Sequence, residues 1–294
     1  MSVIEFSNVT KRFKKFTAVD NISLQVNQGE IIGFVGPNGA GKTTTISMLL
    51  GFLSASEGVV KLQGAEVHPA AAHTQHHTLG YAAGDMALFD NLTGAQYLAY
   101  FANQYGSKAS QAVLIKALAP KLTVPLKQLS RGNKQKIAII AALQHQPEVI
   151  VLDEPTSGLD PLMQKVFLEL ILAEKARGAT VFMSSHILTE VSEVSDRVIF
   201  MREGSIIIDQ SMAEVRGKQG KQVTISGIKK LSQDALPKGS TDVTYDATSL
   251  SFRFSGEPKS LASWLAKQKY ADFTVETITL DTLFEHLYES EPSL

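Results

Sequence analysis

Short, nearly continuous apolar runs recur along the chain, separated by longer stretches with helical spacing. Ile31–Val35, Val149–Leu152, Thr180–Met183 and Arg197–Met201 are apolar enough to be strands covered on both faces, as parallel sheets require. Val3–Phe6 and Ile22–Val26 alternate instead, and Asn27-Gln28-Gly29 reads as a turn before the next strand. Val59–Leu62 and Leu79–Ala82 read as further strands. Helical spacing predicts a helix over Thr44–Leu50, stopped by Gly51. It also predicts helical structure from Thr93 to about Leu118, with Tyr97, Tyr100 and Phe101 on one face, and a helix over residues 130–146 that ends before Pro147. Pro161–Ala176 carries proline where a first helical residue belongs, and Gly178 ends it. Strands alternating with helices predict an α/β fold with a parallel sheet.

The pattern changes at Arg216–Lys221, which reads as a linker. Beyond it, Gln222–Ser226, Asp242–Tyr245, Ser249–Phe254 and Phe273–Thr277 are strand-like. Ser260–Lys267 and the amphipathic Leu280–Tyr288 are helix-like. Residues 222–294 are therefore expected to form a small α+β accessory domain, a size within the usual range of about 50–250 residues. The length of 294 residues agrees with two domains at roughly 150 residues each.

Composition removes several classes of function. Lys and Arg total 28 against 29 Asp and Glu, so no basic field exists to hold nucleic acid and no polybasic run to hold anionic lipid. Cysteine is absent, which excludes disulfides and thiolate metal sites and suits a reducing cytoplasm. The longest apolar run, Ile137–Leu143, is far below the roughly 20 residues of a membrane helix. The opening residues MSVIEFSNVTKRF lack the core of a signal peptide. The chain is expected to be soluble and to reach a membrane through a partner.

The candidate chemistry starts at GPNGAGKTT, Gly36–Thr44, between a predicted strand and a predicted helix. Gly36, Gly41, Lys42 and Thr43 fit the phosphate-loop pattern, with Pro37, Asn38, Gly39, Ala40 and Thr44 completing the turn. Glycines let backbone N–H groups converge on phosphate oxygens, and the helix N-terminus adds a positive dipole end. Lys42 is expected on the β- and γ-phosphates and Thr43 on Mg²⁺, so the ligand is a nucleoside triphosphate. More than a hundred residues later, VIVLDEP (Val149–Pro155) is an apolar strand ending in carboxylates. Asp153 suits the Mg²⁺ ion, and Glu154 suits a general base for the attacking water. In LSRGNKQKI (Leu129–Ile137), Ser130 and Gly132 start a helix able to offer a hydroxyl and free N–H groups to an anion. Because the phosphate loop serves the chain's own nucleotide, this second anion-binding end suits a nucleotide on a partner copy. His186 follows a strand neighbouring the acidic one, within plausible reach of a γ-phosphate. His68, His73, His76 and His77 lie in HPAAAHTQHH, where the spacing of His73 and His77 suits one helix face but no carboxylate pattern accompanies it; a solvated loop is expected.

The ordered set GPNGAGKTT, LSRGNKQK, VIVLDEP, SGLD (Ser157–Asp160) and His186 resembles the nucleotide-binding subunit of an ABC transporter over roughly residues 1–215. DEPTSGLDPLMQ together with LSRGNKQK most resembles bacterial ABC-2-type exporters of the multidrug and antibiotic-efflux kind. The resemblance implies a P-loop NTPase core of the ABC-ATPase type, a mixed sheet with a helical subdomain at about 86–146, followed by the C-terminal α+β domain. It implies ATP and Mg²⁺ as ligands, Phe13 stacking on adenine, Lys42 and Thr43 on phosphate and Mg²⁺, and Asp153 supporting the metal. It implies Glu154 as catalytic base, His186 as the γ-phosphate switch, Ser130 and Gly132 completing the partner's site, and Asp160 in a dimer-contacting loop.

Two segments depart from the family pattern. Arg131 and Asn133 replace a glycine and a glutamine of the usual signature, while Ser130 and Gly132 remain. In the segment Leu79–Thr93, the expected groove for a permease's cytoplasmic helix, Gly84 stands where a glutamine contacting Mg²⁺ is usual, with Asp85 as a candidate substitute. The resemblance implies a head-to-tail homodimer closed by ATP, a separate ABC-2-type permease, and residence at the cytoplasmic face of the membrane. The DNA- and ribosome-directed ABC ATPases generally carry two cassettes, coiled-coil insertions or basic arms, and this chain has one cassette, no heptads and near-neutral charge. The substrate, and whether residues 222–294 serve dimerisation, permease contact or regulation, are not written in the sequence.

Overall fold

The computed structural model describes residues 1–70, 76–84, 89–105, 110–217, 220–228, 235–246 and 248–278. The chain divides into two compact units, Met1–Met212 and Ala213–Leu294.

The first unit holds two sheets. β1 (Ser2–Phe13) and β2 (Phe16–Asn27) form a long antiparallel hairpin, joined by β4 (Glu57–Leu62) and β5 (Ala65–Glu66) in the order β2-β1-β4-β5. Both hairpin strands run well past the alternating cores Val3–Phe6 and Ile22–Val26, because the distal half carries lysines and register shifts that blur the two-residue period. The second sheet has the order β10-β9-β3-β8-β7-β6, comprising β3 (Ile31–Val35), β6 (Leu79–Ala83), β7 (Val149–Asp153), β8 (Thr180–Ser185), β9 (Arg197–Arg202) and β10 (Ser205–Ser211). Its four pairings from β9 to β6 are parallel, and every residue of β3, β7 and β8 is buried, which explains their unbroken apolar composition. β10 pairs antiparallel at one edge; its half-buried residues lack the continuous apolar signal, so it was not expected.

The helices are α1 (Lys42–Leu49), α2 (Gly94–Tyr105), α3 (Ser110–Leu118), α4 (Arg131–Leu143), α5 (Pro161–Ala176), the short α6 (Leu188–Ser192) and α7 (Met212–Gly217). The expected helical stretch from Thr93 to Leu118 is thus two helices. The stretch read as a linker begins inside α7. α5 has the predicted bounds: Asp160 caps it by accepting from Met163 N–H at 3.0 Å, Pro161 occupies its first turn, and Gly178 follows it at φ 98°. The core between the sheets includes Ile4, Phe6, Leu24, Ile32, Phe34, Ile46, Leu49, Val151 and Phe182, with the Phe34 and Phe182 rings 5.1 Å apart.

The second unit contains an antiparallel sheet of order β12-β13-β11-β14: β11 (Lys221–Ser226), β12 (Ser240–Tyr245), β13 (Ser249–Phe254) and β14 (Asp272–Thr277). α8 (Pro258–Leu265) buries Leu261 and Leu265 against Val223, Ile225, Leu250 and Phe252. The amphipathic stretch Leu280–Tyr288 lies outside the described residues.

His145, just beyond α4, is 8% exposed; its Nε2 lies 3.2 Å from the Leu79 carbonyl and its ring 5.4 Å from that of Tyr105. Burial holds its pKa below the usual histidine range, against the hydrogen bond to the Leu79 carbonyl that acts the other way. The unfolded chain therefore binds the proton more readily, and stability is lost as pH falls through the ordinary histidine pKa of about 6.5. Thermal melting at pH of about 7.5 and 5.5 should show a drop in Tm that shrinks in His145→Gln; an undiminished drop would assign the pH dependence to other groups.

Candidate active site at the strand ends

The C-terminal ends of β3, β7 and β8 lie side by side, and each delivers a different functional group. β3 leads into the loop Gly36–Gly41, and α1 begins immediately with Lys42. Gly39 (φ 85°) and Gly41 (φ 107°) take conformations that disfavour side chains. At Gly36 a Cβ would lie 2.2 Å from the Met201 carbonyl oxygen, and at Gly41 2.5 Å from that of Ala18. The loop is thus pressed against its neighbours on one side. No side chain caps α1, leaving its first-turn N–H groups to an anion. Thr43 is exposed at the helix start, and Thr45 is turned inward, its Oγ1 donating to the Gly41 carbonyl at 3.0 Å.

Lys42 is 6% exposed, and its Nζ donates to the carbonyls of Gly36 (2.6 Å) and Pro37 (3.2 Å). It also stands 3.4 Å from Glu154 Oε1. That carboxylate oxygen is buried and makes this approach as an ion pair, with no hydrogen-bond partner among the described residues. The buried cation and the under-satisfied carboxylate frame a polar space that suits a charged ligand and a water. Glu154 Oε2 contacts Nδ1 of His186, which is about half exposed at the end of β8.

Asp153 ends β7, buried, with its Oδ1 accepting from Ser184 Oγ. The same Ser184 Oγ accepts from Glu154 N–H at 3.1 Å. Glu154 has φ 51°, a left-handed conformation that is costly for a side chain with a Cβ. Its backbone is gripped there by Ser184 on one side and Gly84 on the other: a Cβ on Gly84 would lie 2.5 Å from the Glu154 carbonyl oxygen. Gly84 N–H also donates to the Asp153 carbonyl at 2.6 Å. A glutamine does not fit at position 84 in this arrangement. Asp85 lies outside the described residues. In β6, Tyr81 has its pKa pushed up to about 12, chiefly by burial and then by the charge of Asp153, so it stays a neutral phenol.

Lys42, Asp153, Glu154 and His186 are therefore brought together beside the glycine loop. Ser130 and Gly132 sit elsewhere, at the start of α4. Ser130 caps that helix, its Oγ accepting from Asn133 N–H and Nδ2. Gly132 rests against the loop after β7: a Cβ there would lie 2.4 Å from the Gly158 carbonyl oxygen. Gln135, one turn on, donates to the Pro155 carbonyl at 2.9 Å. Asp160 is occupied as the α5 cap. Phe13 is 43% exposed at the tip of the β1–β2 hairpin, with Lys11 Nζ 5.0 Å from its ring centre, and is not a core residue. His68 pairs with Glu66 at 3.1 Å, and His73 lies outside the described residues.

Ser184 and Gln135 escaped the sequence reading. The signal for Ser184 is a register: Asp153 pairs with Ser184 across β7 and β8, and only that pairing makes a serine at the end of an apolar strand meaningful.

Residues 19–157 match the family model described as "ABC transporter". The bacitracin transport ATP-binding protein BcrA of Enterococcus faecalis is 33% identical over 224 residues, covering 74% of this chain and 72% of that protein. The "Probable multidrug ABC transporter ATP-binding protein YbhF" of Escherichia coli (strain K12) is 36% identical over 216 residues, 70% of this chain but 36% of that protein. The chain thus spans about a third of the length of YbhF and more than two thirds of BcrA. A solved ATP-binding subunit of an ABC transporter superposes with a TM-score of 0.66 at 25% identity, over 73% of this chain and 92% of that one. The chain belongs to the ABC transporter ATP-binding family, a family of ATPases, and folds as its cassettes do.

Ser184→Ala should lower unfolding free energy by about 1–3 kcal/mol, because Asp153 and the Glu154 N–H lose a buried partner together. Urea denaturation measures it; an unchanged midpoint would mean that the serine is not what fixes this corner.

Proposed function

We propose that this chain is the ATP-binding and ATP-hydrolysing subunit of an exporter, working through a separate ABC-2-type membrane permease at the cytoplasmic face of the membrane. The observation that carries it is the convergence of Lys42, Asp153, Glu154 and His186 at the parallel strand ends beside an uncapped helix N-terminus. The names of the relatives, bacitracin transport, multidrug transport and Nod factor export, support export as the direction.

The triphosphate lies along the backbone N–H groups of Gly36–Thr44, and Lys42 exchanges its loop carbonyls for phosphate oxygens. The donor set fits Mg²⁺: Thr43 offers a hydroxyl, exposed at the start of α1, and Asp153 a carboxylate, buried at the end of β7. These two residues would hold the ion, which supplies charge neutralisation on the phosphates when bound. Once Lys42 moves to phosphate, Glu154 Oε1 is free to accept a proton from the attacking water. His186, in contact with the other carboxylate oxygen, orients that carboxylate and faces the γ-phosphate. Phe13, exposed on the hairpin tip, offers a stacking surface for adenine. Two copies face head to tail, each giving Ser130 and Gly132 to the other's nucleotide; one chain carries both halves of the pair, so a homodimer suffices. ATP closes the dimer, and hydrolysis opens it.

Glu154→Gln should retain ATP affinity, lower turnover by about a hundredfold or more, and leave an ATP-bound dimer on size-exclusion chromatography. Hydrolysis at the wild-type rate would remove Glu154 as base. Lys42→Ala should weaken ATP binding itself by about tenfold or more, as loss of a charge-assisted contact does; unchanged affinity would defeat that assignment. Tagged Glu154→Gln chain with ATP should recover a polytopic membrane protein from native membranes. Recovery of ribosomal or DNA-bound proteins alone would contradict the transport reading.

A further inference from the structure

Two of the departures from the family pattern, Arg131 in the signature and Gly84 after β6, meet in one contact in this chain. Arg131 Nη2 donates to the Gly84 carbonyl at 3.4 Å. Its aliphatic stem lies on Gly158, where a Cβ would meet Arg131 Cγ at 3.1 Å and Cδ at 3.2 Å. Gly158 has φ 82°, a conformation that favours glycine beneath the arginine, and the contact is tight. Gly84 in turn donates its N–H to the Asp153 carbonyl and presses its Cα side against the Glu154 carbonyl. An unbroken path therefore runs from the first turn of α4, through Arg131 and Gly84, to the strained backbone of Glu154. The adjacent contacts of Gly132 with Gly158 and of Gln135 with Pro155 tie the same turn to the same loop.

We propose that Arg131 is a positioning residue for Glu154 of its own subunit, and that it reports the state of the α4 N-terminus to that carboxylate. The inference rests on the function proposed above, which gives Ser130 and Gly132 to the partner's nucleotide. Neighbouring residues of one helical turn then face opposite ways in function. Ser130 and Gly132 meet the nucleotide of the other copy, and Arg131 holds the base of its own. A displacement of α4 on partner ATP is carried to Glu154 by the guanidinium, because Gly84 has no side chain to absorb it. The glutamine that the family places at this point touches the reaction directly; here the position is a backbone relay.

Arg131 is exposed over much of its surface, so its replacement should leave the fold intact. Arg131→Met keeps the stem on Gly158 and removes the donor; Arg131→Lys keeps the stem and one donor. Steady-state ATP hydrolysis by the full chain should show kcat reduced about five- to tenfold in Arg131→Met, the scale of one hydrogen bond, with KM for ATP within about twofold. Arg131→Lys should recover most of the loss. Adding Arg131→Met to Glu154→Gln should leave the ATP-trapped dimer as abundant as with Glu154→Gln alone. An unchanged kcat, a KM that rises in proportion, or loss of the trapped dimer would overturn the proposal, the last by placing Arg131 on the partner's nucleotide. Wild-type chain that binds but never hydrolyses ATP would instead sink the functional reading, and this inference with it.

Discussion

The register between β7 and β8 is the constraint on which the site depends. Pairing Asp153 with Ser184 lets one buried hydroxyl donate to a carboxylate and accept from the next residue's N–H. That double role holds Glu154 in a left-handed conformation and aims its carboxylate at Lys42, arriving from β3 on the other side of β8. A shift of one residue in this pairing would exchange the faces of the whole strand and carry both acids away from the loop. Because β3, β7 and β8 are buried along their full length, hydrophobic packing secures the register, and the polar groups occur only where the strands end.

Glycine has a packing role here besides the phosphate access proposed for the loop. Gly36 and Gly41 allow the loop to lie against Met201 and Ala18, while Gly84, Gly132 and Gly158 let three separate segments meet around Glu154. At Gly36, Gly41, Gly84 and Gly132 backbone meets backbone with no room for a Cβ, and at Gly158 the packed arginine stem leaves little. The site is consequently assembled from chain segments in direct contact, so motion of one is transmitted to the next.

Much of this was legible in the sequence, for identifiable reasons. Buried parallel strands and capped helices leave strong local signals, and the bounds of α5 follow from Asp160, Pro161 and Gly178 alone. The glycine loop between β3 and α1 and the acidic end of β7 fall where the motif spacing placed them. The distal hairpin, β10 and the short α6 were not, since half-exposed strands and single turns depend on tertiary partners. Nor were Ser184 and the contact between Arg131 and Gly84, which join residues far apart in sequence. The substitution of Gly84 for glutamine looked like the loss of a ligand; in the fold it is a requirement of close approach to Glu154.

A structure of the chain with Mg²⁺ and a non-hydrolysable ATP analogue would show whether these strand ends hold the nucleotide. The triphosphate should lie on the backbone of Gly36–Thr44, with Lys42 Nζ moved from the Gly36 and Pro37 carbonyls onto phosphate and Glu154 still held by Ser184. An analogue bound elsewhere, or Lys42 still on its loop carbonyls with the analogue present, would contradict it.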